Sequence, residues 1–219
     1  MAGTDRQDIT HALLDGYGRT YAEQAGIRMR DTPQPLYRLL VLADLLSARI
    51  RADIAVAAAK ELSAAGMRDP RGMADATWQQ RVDALGRGGY RRYDESTATR
   101  LGEGADLAQE RYGGDLRRLR DAADGDVAEI RGRLRDFPGI GPAGADIFLR
   151  EVQTVWPQVA PYFGAKAEQG AGALGLPRSP GRLAGLAEDA ETDPAVLAAA
   201  LVRVSLDRKG PETVREAAR

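Results

Sequence analysis

The fold of this chain is constrained most by one stretch rich in glycine and proline, residues 134–145, which reads Leu-Arg-Asp-Phe-Pro-Gly-Ile-Gly-Pro-Ala-Gly-Ala. An arginine-rich helical pattern ends just before Pro138, and a second apolar pattern of helical period follows the second glycine. The glycines on either side of Ile140 permit a tight turn. Pro142 suits the first turn of a helix, where no backbone N–H is required. The stretch therefore predicts two helices joined by a hairpin.

A hairpin of this kind can bind a phosphate. Glycine lets a ligand approach bare backbone N–H groups, and the second helix directs its unpaired N–H groups and positive dipole end to the same point. An ordinary helix–helix connection uses the same turn residues, and the pattern alone leaves both interpretations open. In the first interpretation, the residues predicted to contact a DNA backbone are Pro138, Gly139, Ile140, Gly141, Ala143 and Gly144.

Composition favours an all-α protein. Hydrophobic residues make up 43% of the 219 residues and charged residues 29%, which is typical of a folded globular chain. Aromatic residues are only 5%, while alanine, leucine and arginine, which are strong helix formers, are abundant. Apolar residues recur at helical spacing almost throughout, without strand alternation. We expect about ten helices, with residues 36–48 forming a helix at the centre of a core because this segment is apolar nearly all round.

Several classes of protein are excluded by residue counts. The chain has no cysteine, so it has no disulfide, no thiolate nucleophile and no cysteine-ligated iron–sulfur cluster. Its single histidine, His11, excludes a multi-histidine metal site, and we expect no metal and no cofactor. No apolar run is long enough to span a bilayer, and residues 1–8 lack the apolar core of a signal peptide. We therefore expect a cytoplasmic protein of bacterial type without a membrane partner.

The net charge of −1 argues against a protein that coats nucleic acid indiscriminately. Any affinity for DNA must come from a local basic face. Two arginine clusters, at 87–100 and 111–135, could supply such a face, although charge runs of this kind also form solvated helix surfaces with internal ion pairs.

Four segments carry a family resemblance through their order along the chain. They are Leu45-Leu46-Ser47-Ala48, Gly89-Tyr90 before a long helix, Leu134–Ala145, and Val155-Trp156-Pro157. In this order they resemble the helix-hairpin-helix base-excision DNA glycosylase superfamily, and within it endonuclease III most closely. This resemblance implies two helical lobes with DNA bound in the cleft between them. One lobe would be a six-helix barrel at 33–150 that includes the hairpin, and the other would join 1–32 to 151–219.

The resemblance also implies a function. Such a protein binds damaged or modified double-stranded DNA as a monomer, associates with the nucleoid when bound, and rotates the target base out of the duplex before removing it. Arg49 and Arg51 lie where the family fills the gap left by that base. Tyr90 and Arg91 are candidates for an opposing wedge. The alternative for Tyr90 is that its ring packs beneath the loop.

The chain departs from the family at its catalytic positions. The family's nucleophilic lysine falls at Ala143, so lyase chemistry through a Schiff base at that position is excluded. The family's catalytic aspartate falls closest to Tyr162, whose hydroxyl carries no full negative charge at neutral pH. The nearest acid downstream is Glu168. These departures predict an N-glycosylase without lyase activity.

Asp44 is the remaining candidate for a catalytic carboxylate. It lies in the otherwise apolar core helix, where a charge is costly unless it is paired or functional. The adenine-removing relatives have an acid at the matching position, which protonates the departing base. If Asp44 faces the cleft, burial would suit it to this role as a general acid. The alternative is a core aspartate that caps a helix or pairs with an arginine.

Three functions follow from the sequence. The first is a monofunctional glycosylase that uses water as nucleophile, with Asp44 or Glu168 as the working carboxylate. The second is a non-catalytic binder of damaged or distorted DNA, which would explain the missing lysine and aspartate. The third is a helical adaptor that binds a protein or a small ligand.

Overall fold

The structure, a computed structural model, describes residues 6–219 and is all-α, as the sequence predicted. No strand occurs in this range, and no helix in it is both long and apolar enough to cross a membrane. The helices in chain order are α1 (Arg6–Tyr17), α2 (Tyr21–Gln24), α3 (Pro33–Ser47), α4 (Ala52–Ala64), α5 (Pro70–Asp75), α6 (Trp78–Arg87), α7 (Asp94–Tyr112), α8 (Arg117–Ala122), α9 (Val127–Leu134), α10 (Pro142–Val152), α11 (Gly164–Leu174), α12 (Pro180–Asp189), α13 (Pro194–Leu206) and α14 (Gly210–Ala217).

The chain divides into two compact units. The contiguous unit is Ala22–Gln158, and the terminal unit combines Met1–Tyr21 with Val159–Arg219. Within the described residues, both units consist of helices and the segments that connect them. The domain boundaries implied by the resemblance, 33–150 against 1–32 with 151–219, stay a prediction.

The contiguous unit is organised around α3. Most of its side chains from Leu36 to Leu45 are buried, which confirms the core helix expected over 36–48. This helix packs against α4 on one side and α10 on another, while α5 and α6 pack against α7. Because α3 is apolar nearly all round, it is stable only when other helices cover it.

Local signals in the sequence set several helix ends. Thr77 accepts a hydrogen bond from the Gln80 N–H at 3.2 Å while the Gln80 side chain accepts from the Thr77 N–H, which forms a capping box before α6. Asp126 caps α9 by accepting from the Glu129 N–H at 2.8 Å. At the end of α7, Gly113 has φ +59°, the left-handed conformation that glycine adopts readily.

The terminal unit is organised around α13, which packs against α1, α11, α12 and α14. Helix α11 lies so close to α13 that a Cβ on Gly170 would be 2.0 Å from the Leu201 carbonyl oxygen. Residues 175–181, with prolines at 177 and 180, have a composition typical of a linker, but α12 begins within them. Pro180 occupies the first position of this helix, where proline is tolerated.

Residues 5–25 have the pattern of a single helix, but the described portion divides into α1 and α2. The division falls at Gly18, where a Cβ would be 2.3 Å from the Leu14 carbonyl oxygen.

Candidate nucleic-acid interface

The predicted hairpin is present between α9 and α10. Phe137 and Ile140 point inward and are buried, whereas Gly139 between them is exposed. The Ile140 N–H donates to the Phe137 carbonyl at 3.0 Å, and the Phe137 ring stacks on Tyr112 with 6.1 Å between ring centroids. Two buried side chains therefore anchor the turn and leave its backbone at the surface.

The two glycines of the turn serve different purposes. Gly139 has φ +89°, and a Cβ there would lie 2.2 Å from Asp44 Oδ1 and 2.8 Å from Arg100 Nε. Gly141 has φ −83°, which any residue adopts, and no atom lies within 4 Å of the place its Cβ would occupy. The fold therefore requires glycine at 139 only. At 141 the missing side chain leaves the backbone open to an approaching ligand.

The N-terminus of α10 has unpaired hydrogen-bond donors. Pro142 has no N–H, and the first N–H that bonds back to the turn is that of Ala145, which donates to the Gly141 carbonyl at 3.0 Å. Within the part of the chain that the structure describes, the N–H groups of Ala143 and Gly144 donate to no protein atom. Ala143 is exposed and Gly144 is buried, and the first turn of α10 contains no acidic residue. This helix end therefore has two N–H groups without a protein acceptor, which is the arrangement that binds anions at helix N-termini.

Ion pairs neutralise the acidic residues around the hairpin. Three carboxylates near the turn each pair with an arginine, and the positive partner reduces the repulsion that the carboxylate would exert on an incoming anion. Arg135, at the end of α9, is exposed and makes no ion pair within residues 6–219. The pairs are Glu129–Arg133 (2.9 Å), Asp136–Arg111 (2.8 Å) and Asp146–Arg131 (2.8 Å).

Asp44 lies beneath the turn in a buried polar cluster. Its Oδ1 is 3.9 Å from Arg100 Nη2, and its Oδ2 has no hydrogen-bond partner in the described residues. Burial raises the pKa of Asp44 to about 6, although the nearby charge of Arg100 lowers it. Arg100 is itself held by a hydrogen bond from its Nη2 to Thr97 Oγ1 at 3.0 Å.

The surroundings of Asp44 bear on both of its proposed roles. A carboxyl group with a raised pKa suits a general acid, whereas the contacts with Arg100 and Gly139 suit a core aspartate paired with an arginine. A cavity of ≈ 20 Å³ adjoins the carboxylate, lined by Asp44, Tyr37, Phe137 and others. This volume has room for about one water molecule and is far too small for a nucleobase. The role of general acid stays a prediction.

The candidate DNA-contacting residues outside the hairpin differ in accessibility. Tyr90 is fully buried, and burial raises the pKa of its hydroxyl. This position agrees with the alternative in which the ring packs beneath the loop. It is not available as a wedge in this conformation. Arg91 and Arg49 are exposed. Arg51 is also exposed but pairs with Asp53 through two hydrogen bonds of 3.0 and 2.6 Å.

Two further candidates belong to the terminal unit. Tyr162 precedes α11 and Glu168 lies within it, and both are half-buried. Asp44 belongs to the contiguous unit. Tyr162 and Glu168 stay predictions as catalytic residues. Within residues 6–219, no group of three or more His, Asp and Glu side chains is arranged to hold a metal ion.

Arg100 is part of the site but was not predicted to be near Asp44. The signal was available in principle, since a buried aspartate in an apolar helix requires a cation nearby. However, several arginines could have supplied it, and only the packing of α7 on its neighbours selects Arg100.

Comparison with known proteins assigns no family. No protein-family model matches the chain, and no curated protein is significantly similar to it.

A pair of glycine substitutions tests the turn. We expect Gly139→Ala to destabilise the protein by about 3 kcal/mol, because the residue would need a left-handed backbone and would overlap Asp44. Gly141→Ala is the matched control and should cost less than about 1 kcal/mol, since only a weak cap preference is lost. Urea unfolding measures both. Equal losses of stability in the two variants would contradict this account of the turn.

The raised pKa of Asp44 predicts a pH-dependent stability. Its folded pKa of about 6 exceeds the ordinary value of 3.8, so the folded state binds more protons between these values and stability falls as pH rises through them. Asp44→Asn removes this dependence. We expect the unfolding free energy of the variant to rise relative to wild type by about 2–3 kcal/mol between pH 4 and pH 7. A difference that stays constant across this range would show that burial does not shift the pKa of Asp44.

Proposed function

We propose that this protein binds double-stranded DNA by holding phosphates of one strand against the hairpin, and that its target is a damaged or distorted site. The observation that carries this proposal is the open backbone at Gly141 beside the unpaired N–H groups of Ala143 and Gly144. A phosphate oxygen accepts hydrogen bonds from such groups, and the positive end of the α10 dipole adds to the attraction.

Recognition of this kind does not depend on base sequence. The hairpin contacts only the sugar-phosphate backbone, which fixes the position of the protein without reading bases. With a net charge of −1, the protein has no general attraction to nucleic acid. We therefore expect weak affinity that decreases only gradually with salt, as for the release of a few counterions. Failure to bind any duplex at low salt would favour the third function, a helical adaptor.

A charge placed at the helix end tests the proposal. Ala143→Asp puts a carboxylate beside the proposed phosphate, and we expect it to weaken duplex binding at least about tenfold. An acid at this position favours the helix itself, so the fold should be retained. The control is Gly181→Asp. Gly181 is the second residue of α12, a helix that also begins with proline. It is exposed, and no atom lies within 4 Å of the place its Cβ would occupy. Fluorescence anisotropy with a labelled duplex measures both variants. Equal affinities for the two variants would refute the proposed contact.

Base excision is a second candidate, and the raised pKa of Asp44 favours it. A protonated Asp44 would donate its proton to the departing base as the bond from the sugar to the base breaks, and water would then attack the sugar. The ≈ 20 Å³ cavity beside Asp44 would have to widen for a base to reach the carboxyl group.

The excision reaction can be tested directly. Duplexes carrying uracil, alkylated purines or oxidised purines are incubated with stoichiometric protein and then treated with alkali, which breaks abasic sites. We expect strand breaks only after alkali, and none with Asp44→Asn, whose DNA affinity serves as the control for folding. Lack of product with the wild type on every duplex would leave DNA binding as the function. Full activity of Asp44→Asn would remove Asp44 from the mechanism.

A further inference from the structure

A basic concavity lies at the N-terminal end of α3. It is open, with a volume of ≈ 560 Å³, and is lined by Arg28, Arg30 and Arg38 together with residues at the start of α3 and in the turn before it. Asp69 is the one acidic residue in its lining, and that carboxylate already accepts a hydrogen bond from the Gly72 N–H at 2.8 Å. The concavity therefore has three positive charges and an acid that is engaged elsewhere.

A fourth arginine, Arg68, lies next to Arg38. Arg38 Nε donates to Ser63 Oγ at 3.1 Å, and Arg68 Nε donates to the carbonyl oxygen of the same residue at 2.8 Å. Two like charges are thus held around one serine. Burial and the neighbouring charge of Arg68 lower the pKa of Arg38. Such an arrangement is unfavourable unless an anion compensates it.

None of the four arginines forms an ion pair. Within residues 6–219 this holds for Arg28, Arg30, Arg38 and Arg68, whereas three of the arginines around the hairpin pair with acids. Asp31, adjacent to Arg30 in sequence, is engaged with Arg120 at 2.9 Å and with the Trp156 indole N–H at 2.8 Å. Asp69 is therefore the one carboxylate in the lining that offsets the positive charge of the concavity.

Arg38 is held in place before any ligand arrives. Its Nε and Nη2 donate to Ser63 Oγ and to the Ala25 carbonyl oxygen, at 3.1 and 3.3 Å. The guanidinium is thus fixed at the wall of the concavity and keeps further N–H groups for an anion. Arg28 and Arg30 are exposed at its rim and can move to meet a ligand.

The concavity is distinct from the hairpin. It lies at the start of α3, whereas Asp44 beneath the hairpin is eleven residues further along this helix. Eleven residues correspond to about 17 Å along a helix axis. No aromatic side chain lines the concavity.

We propose that this concavity binds a small phosphorylated ligand with two or more neighbouring negative charges, such as a diphosphate group. Arg38 provides a fixed contact, Arg28 and Arg30 close over the ligand, and Arg68 strengthens the local positive potential. Arginine suits this chemistry because its planar fork donates two parallel hydrogen bonds to phosphate oxygens. The site does not depend on the proposed DNA binding, and either proposal can fail without the other.

Calorimetric titration with inorganic pyrophosphate tests the site in the full chain. We expect saturable binding to the wild type and at least about tenfold weaker binding to the double variant Arg28→Gln/Arg30→Gln, whose side chains are exposed and carry no fold contact. The control is Arg182→Gln/Arg208→Gln, which removes the same charge from exposed positions in the terminal unit. It should bind pyrophosphate as the wild type does.

Other outcomes overturn the proposal. No saturable binding to the wild type, or equal weakening in the two double variants, would show that the concavity is not a phosphate site. Duplex DNA is titrated in parallel. If Arg28→Gln/Arg30→Gln weakens duplex binding as strongly as Ala143→Asp while pyrophosphate does not bind, the arginines contact DNA and not a small ligand.

Discussion

The close approach of the Asp44 carboxylate to Gly139 holds the hairpin on its unit together with the buried side chains of Phe137 and Ile140. The carboxylate comes from the core helix α3, and Arg100 beside it comes from α7, so the turn is held against two helices. The approach is too close for any side chain at 139. A buried carboxylate without a full set of hydrogen bonds destabilises the fold, and Asp44 is such a carboxylate because its Oδ2 has no partner in the described residues. It lies against the one irregular segment between α9 and α10.

This contact gives the turn two sides of opposite character. Its inner side has Phe137, Ile140 and the Gly139–Asp44 contact, all of which the fold requires. Its outer side has the open backbone at Gly141 and the unpaired donors of α10, which the fold does not require. A feature that packing does not explain is a reasonable place to expect a ligand. The same reasoning applies to Arg28, Arg30 and Arg38, which line the concavity at the start of α3 and form no ion pair within the described residues.

The features that the sequence predicted correctly are those set by local rules. The hairpin and the buried helix α3 each follow from the residue types of a short segment. Other features depend on tertiary packing. Helix α12 was missed because the sequence places proline and glycine at its start, and the burial of Tyr90, which is one of the two alternatives left open by the sequence, depends on how a loop packs. The pairing of Arg38 and Arg68 around Ser63 joins α3 to the end of α4 and was not visible from spacing.

The proposed hydrogen bonds from the N–H groups of Ala143 and Gly144 to a DNA phosphate can be tested directly. Two-dimensional ¹H–¹⁵N NMR of the labelled protein, titrated with a short duplex at low salt, observes these two groups. We expect the amide resonances of both residues to shift with added duplex, to reach saturation together and to be among the largest changes in the spectrum. Binding of the duplex with these two resonances unmoved would contradict the proposed contact.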